Sequence, residues 1–247
     1  MKQFVAVLSV AAILALGVSC RSKDHDDTGT STPSTPTTPS TPTPTPNRNP
    51  SITSMNVSPT FGIAGLSTIS MSATASDADN DALTFTWSFA GTAANGSSVS
   101  TTINGDGNVV ITLTVTDGKG GSTTDTRTVT IGTLSGTWSL VAANCGTGSD
   151  RPAVMTLTQT AGGVVNGTVT FPGRWCNVSA GQSNARIDPG APGKIDAAGN
   201  FSARVKIGDF LDLFLNQGKM DTTGRKVTGK PEGSGFGNST DVFTMTK

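Results

Sequence analysis

In this 247-residue chain, the residues whose types and spacing could do chemistry are a set of aspartates and three cysteines. Asp77, Asp79 and Asp81 put three carboxylates within five residues, and Asp117 opens a later Asp-Gly turn. Hard oxygen donors at that density suit Ca²⁺, which takes six to eight oxygens. An EF-hand loop is excluded, because its sixth place holds Ala82 rather than Gly and its twelfth holds Ser88 rather than Glu. The same aspartates serve a turn equally well, since a short carboxylate accepts bonds from backbone just ahead of it. Cys145 and Cys176 form no C-x-x-C pair, and the sole histidine is His25. A zinc site is therefore excluded. After export the two thiols are expected to pair, stabilising the fold by about 3–4 kcal/mol on the loop-entropy account.

Catalytic patterns are sparse. The carboxylates beyond residue 133 are Asp150, Asp188, Asp196, Asp209, Asp212, Asp221, Asp241 and Glu232. A retaining glycosidase needs two of them about 5–5.5 Å apart. Asp209 and Asp212, three apart on a strand, would face opposite ways. No G-x-S-x-G elbow, S-x-x-K pair or phosphate loop occurs. The chain is expected to be no enzyme, with a carboxylate-dependent hydrolase as the least favoured alternative.

The elements that must position these residues follow from composition. The chain has 30 Gly and 13 Pro and only 14% charged residues, against an average near 25% charged. Gly and the abundant Thr lose most in a helix and suit short strands and tight turns. The expected class is all-β. Basic and acidic residues balance at 17 each, so no electrostatic case exists for nucleic acid.

Residues 1–19 read as an export signal: Lys2, an apolar run from Phe4 to Leu16, then small residues. Gly17-Val18-Ser19-Cys20 resembles the lipobox of bacterial lipoproteins, although Leu16 is one place out of register. That resemblance implies lipidation of Cys20 and a membrane held through acyl chains. Arg21 after it implies sorting to an outer membrane or the cell surface. Ordinary signal-peptidase cleavage is the alternative, since Gly17 and Ser19 also satisfy a small-x-small rule. Residues 20–50 form the expected disordered tether, with Thr28 to Pro46 almost entirely Thr, Ser and Pro. In polyproline geometry that stretch spans roughly 60 Å, and it invites glycosylation.

Residues 51–132 alternate with period two, which argues for two antiparallel sheets packed face to face. Ile69, Met71, Ala73 and Ala75 share one face; so do Leu83, Phe85, Trp87 and Phe89, and Val109, Ile111, Leu113 and Val115. Trp87 is the expected core anchor. Ala75 to Trp87 and Leu113 to Gly121 resemble the PKD-type repeat and bacterial cadherin-like modules, which implies an immunoglobulin-like sandwich used as spacer or adhesive unit. In calcium-binding relatives an Asp of the later turn joins the ligand set, which implies Asp117.

Residues 133–247 give about eight further runs, enough to close a small antiparallel β-barrel, with a second open sandwich as the alternative. Phe210 to Leu215 is apolar on both faces and is expected to be the most buried strand. Gly136-Thr137-Trp138 resembles the first-strand motif of calycins, the lipocalin-like and avidin-like barrels, where Trp138 would close the floor. Arg204 and Lys206, near Arg225 and Lys226 in sequence, are candidates for an acidic glycan.

The expected function is a bacterial cell-surface lipoprotein presenting a non-catalytic ligand- or glycan-binding β-domain on an immunoglobulin-like spacer. A carbohydrate, a small apolar ligand or a surface protein would be the partner. The competing reading is a purely structural or adhesive protein with a filled barrel.

Overall fold

The computed structural model describes residues 45–143, 151–176, 178, 185–209, 211–233 and 241–247. Residues 45–247 form one compact unit, and every regular element among the described residues is a strand. The expected leader, Cys20 and Cys145 lie outside the described residues.

Eight strands build the sandwich: β1 (Ser51–Ser58), β2 (Phe61–Ile63), β3 (Thr68–Ser76), β4 (Thr84–Phe89), β5 (Thr92–Asn95), β6 (Ser98–Thr102), β7 (Gly107–Thr116) and β8 (Ser122–Gly132). One sheet runs β1-β3-β6 and the other β2-β8-β7-β4-β5. The chain changes sheets at Pro59, so that β1 pairs antiparallel with β3 while β2 pairs parallel with β8. The alternating residues read from the sequence meet between the sheets, with Ile69, Trp87, Ile111, Leu113 and Val115 all at 0% exposure. Trp87 is the anchor expected of it. Its indole N–H donates to the Gly96 carbonyl at 2.8 Å, so burial leaves no polar atom unpaired.

The second layer set is a closed ring of β9 (Gly136–Ala143), β10 (Ala153–Gln159), β11 (Val164–Thr170), β12 (Ala185–Ile187), β13 (Gly193–Ile195), β14 (Asn200–Ile207), β15 (Leu211–Met220), β16 (Lys226–Gly233) and β17 (Val242–Thr246). Apart from β12 and β13, each strand pairs antiparallel with its sequence neighbour, and β17 returns to β9. The short strands β12 and β13 lie end to end between β11 and β14. They form one stave, interrupted by Asp188-Pro189-Gly190-Ala191-Pro192, so the barrel has eight staves. Closure removes the free edges an open sheet would expose.

One strand differs from its sequence reading. Leu211 is 37% exposed and Phe214 is half-buried on the outside, so β15 is not buried on both faces. A single-layered barrel has only one interior. The outer apolar surface of Phe214 is covered instead by the Arg204 guanidinium, 5.6 Å from the ring centre.

Sandwich and barrel share packing. Ile63, 1% exposed, belongs to the barrel core, and Phe61 and Leu66 pack on the same cluster. Two polar side chains tie the seam. Gln159 Nε2 donates to the Ala64 carbonyl at 3.1 Å while its Oε1 accepts from Leu134 N at 2.9 Å. Ser67 Oγ donates to the Ala197 carbonyl and accepts from Ile63 N, each at 2.7 Å. Lys247 adds an ion pair to Asp106.

Candidate functional site

The first place to seek a ligand is the barrel interior, and the side chains there leave no room. Trp138, Leu140, Met155, Val165, Val169, Val205, Leu215, Val227, Phe243 and Met245 are all at 0% exposure. A side chain facing a cavity large enough for water would carry accessible surface towards it. Trp138 closes the floor, its indole N–H bonded to the Leu134 carbonyl at 2.8 Å. At the other end Trp175, also fully buried, lies 5.7 Å from Phe171 and donates to the Leu140 carbonyl at 3.0 Å. Cys176 follows it into the core at 0% exposure. Phe201 points inward, whereas Phe214 points out.

The space that does exist lies outside. A cleft of about 600 Å³ opens where the sandwich meets the barrel, lined by Leu66 on one side and by β13, β14 and β15 residues on the other. Two ladder irregularities shape it: the β14–β15 register slips between Phe201 and Ala203, and the β15–β16 register between Asn216 and Lys219. Gln217 sits in that bulge at φ 50° and is exposed to the cleft. The next residue must be Gly218, because a Cβ there would stand 2.8 Å from the Phe201 carbonyl oxygen. Bulges commonly re-aim a side chain in this way. At the cleft edge Asp196 accepts from Ala198 N and Asn200 N, each at 2.9 Å, and from Asn200 Nδ2 at 2.7 Å. The Asn200 backbone bond is the main reason its carboxyl is held below the usual range, with burial opposing.

The acidic corner lies at the opposite end of the sandwich. Asp77 Oδ1 accepts from Asp79 N at 2.8 Å and Asp81 N at 3.2 Å, while its Oδ2 is buried without a partner. Asp117, 3% exposed, accepts from Lys119 N at 2.7 Å and Gly121 N at 2.9 Å. Its other oxygen accepts from Asn47 Nδ2 at 2.8 Å, and Asp79 Oδ2 accepts from Arg48 N at 2.8 Å. Gly121 admits this approach, since a Cβ there would lie 3.1 Å from the Arg48 carbonyl oxygen.

Residues 49–131 match the family model of the PKD domain. No curated protein matches the chain. A solved structure described as "Structural basis for the promiscuous specificity of the carbohydrate-binding modules from the beta-sandwich super family" aligns at 12% identity, covering 81% of this chain and 92% of its own, with a TM-score of 0.33.

In the PKD domain the expected calcium set of Asp77, Asp79, Asp81 and Asp117 lies at one corner, where Asp77, Asp79 and Asp117 each accept backbone hydrogen bonds. Among the described residues no three His, Cys, Asp or Glu side chains gather as a metal would require. Asp77 and Asp117 accept turn bonds, and the corner clasps Asn47 and Arg48, where the Thr/Pro tract ends. The Asn47 hydrogen bond is the largest influence holding the Asp117 carboxyl below its ordinary value; burial opposes it, and the bonds from Lys119 and Gly121 add to it. A folded-state value below the unfolded one contributes stability above the unfolded pKa of about 3.9, and that contribution is lost as pH falls through the folded value. Asp117→Ala is expected to speed amide exchange at residues 47–49, read by hydrogen-exchange mass spectrometry, while millimolar Ca²⁺ leaves the parent melting temperature unchanged. Unaltered exchange in the variant contradicts the clasp.

The carboxylates that could have worked as a catalytic pair are Asp188 and Asp212, and both converge on Arg204. Asp212 Oδ2 is 2.6 Å from Nη2, and Asp188 Oδ2 is 3.2 Å from Nη1. The Arg204 hydrogen bond holds Asp212 below the usual carboxylate range against the opposing effect of burial, and Arg204 is raised in return. A general acid needs the opposite shift. Asp209 stands apart in an exposed turn. Arg225 and Lys226 lie at the start of β16 and not beside Arg204, whose neighbours on β15 are Asp212 and Phe214. Sequence reasoning missed Asn47, Arg48, Leu66 and Gln217. Only the break in the Thr/Pro tract at Asn47 signalled any of them.

Proposed function

We propose that the chain is an exported, lipid-anchored, non-catalytic binding protein of a bacterial cell envelope, with its ligand surface on the outside of the barrel. The cleft at the domain junction carries this reading: the interior is filled, with both ends stoppered by Trp138 and Trp175, and the cleft outside it is larger than the hollow at the Asp79–Asp81 corner. The PKD domain then serves as spacer. Its tether enters at the Asp79–Asp117 corner, and the barrel leaves from the far end of β8. Cys20, behind an apolar run and ahead of a Thr/Pro tether, supports anchorage. A single acyl chain binds a membrane only reversibly, so several chains on Cys20 are expected. A disulfide between Cys145 and Cys176 belongs to the same proposal, supported by export and by the burial of Cys176 in the core. Carbohydrate is the favoured ligand class, because exposed amide, hydroxyl and ammonium groups line the cleft. The ion pairing of Asp188, Asp212 and Arg204 supports the absence of proton-transfer chemistry.

Cys20→Ala is expected to move the protein from the membrane to the soluble fraction of the producing cell. The soluble variant should then be retarded in native gels containing envelope polysaccharide. Unchanged partitioning contradicts the anchor. Free migration through every polysaccharide tried favours the purely structural reading.

A further inference from the structure

Three polar side chains at the junction cleft have no partner. Lys194 and Ser202 are directly opposed across β13 and β14, both exposed on the outer face, and neither makes a hydrogen bond or ion pair among the described residues. Gln217 is the third, held over the same cleft by the bulge. A non-glycine residue at φ 50° is a strained conformation, of the kind that collects at binding sites when the surroundings enforce it. The neighbouring groups are already engaged: Lys219 bonds to Asn200 Oδ1 at 3.1 Å and to the Ala198 carbonyl, and Asn200 clamps Asp196. The free groups are therefore one ammonium, one hydroxyl and one carboxamide beside the apolar side chain of Leu66.

The same outer face continues along β14 to a second feature. Arg186 and Lys206 stand directly opposite each other on β12 and β14. Like charges in that position repel and destabilise the pair. Arg186 has no ion-pair partner among the described residues, and the acid opposite Lys206, Asp212, is bonded to Arg204. Asp188 pairs with Arg204 as well, Asp196 at the cleft edge accepts from Asn200, and Glu232, opposite Phe214 on β16, accepts from Asn216 Nδ2 at 3.0 Å. From Ser202 to Lys206 is four residues, or about 13 Å of strand, an oligosaccharide span rather than that of a single sugar.

We propose that the cleft and this face bind an anionic polysaccharide. Lys194 pairs with a sugar carboxylate, Ser202 and Gln217 bond its hydroxyl groups, and Arg186 and Lys206 receive an acidic unit further along the chain. The inference rests on the reading that the ligand surface lies outside the barrel. Single-stranded nucleic acid fits less well, because recognition there depends on aromatic faces for base stacking, and Phe214, the aromatic on this face, is covered by Arg204.

The test is calorimetric titration of the Cys20→Ala full-length protein with three probes: a short oligogalacturonate, a neutral dextran oligosaccharide of equal length, and oligo-deoxythymidine of matched charge. Oligogalacturonate is expected to bind, with affinity reduced about tenfold in Lys194→Gln and in Gln217→Gly, weakened in Arg186→Gln, and unchanged in Arg225→Gln. Gln217→Gly removes the amide yet relieves the backbone, so its melting temperature should hold or rise while binding falls. Equal or tighter binding of dextran overturns the anionic assignment and leaves the external site standing. Equal binding of deoxythymidine overturns it as non-specific charge attraction. No binding of either saccharide overturns both this inference and the external saccharide site.

Discussion

Replacing Trp138 with alanine is expected to cost about 3–5 kcal/mol, the range for an aromatic removed from a close-packed core. The indole is fully buried at the barrel floor, and its loss also strips the Leu134 carbonyl of the donor it accepts from at 2.8 Å. Leu134 joins the last sandwich strand to the first barrel strand, so the gap opens at the seam. With stabilities of roughly 5–15 kcal/mol typical of folded domains, the loss takes at least about a fifth of the margin and up to all of it. Its urea midpoint should fall steeply while the parent slope is kept. Trp138→Phe, which keeps most of the volume and loses the N–H donor, should fall between the two. A loss below about 1 kcal/mol in Trp138→Ala would mean that the floor is not packed as described.

Gly224→Val is expected to uncouple the PKD domain from the barrel. Gly224 has φ 70°, and a Cβ there would stand 2.7 Å from the Gly132 Cα. A β-branched residue bears a left-handed backbone poorly, at about 1–3 kcal/mol, and the overlap with backbone adds a further 1–3 kcal/mol or so by overpacking. Neither atom can yield without moving β8 or the turn before β16, so Ile63 and Leu66 must lift from the barrel core. The parent should melt in one calorimetric transition, and Gly224→Val in two or in one broadened and lowered by roughly 10 °C. A single sharp transition at the parent temperature contradicts the shared core.

The strands were legible because each has one buried face: alternation such as Ile69-Met71-Ala73 or Phe201-Ala203-Val205 reports a pleat directly. What failed had local causes. Phe210 to Leu215 signals double burial, yet the stabilising partner of Phe214 is a cation on the next strand rather than a second layer. The Asp77–Asp117 pattern is ambiguous because turn and metal chemistry draw on the same carboxylates. The side chain that engages Asp117 is Asn47, 70 positions away and inside what reads as tether. The cleft could not be read at all. Leu66 reaches it from the other domain, and Gln217 faces it through a bulge that period-two counting does not register.

The central claim, that this barrel is filled and acts from its outside, is tested most directly by titrating the soluble Cys20→Ala protein with an apolar fluorophore such as aminoanthracene. A filled barrel gives no saturable fluorescence increase below the unfolding transition. Saturable one-to-one enhancement, displaced by a fatty acid, would contradict it.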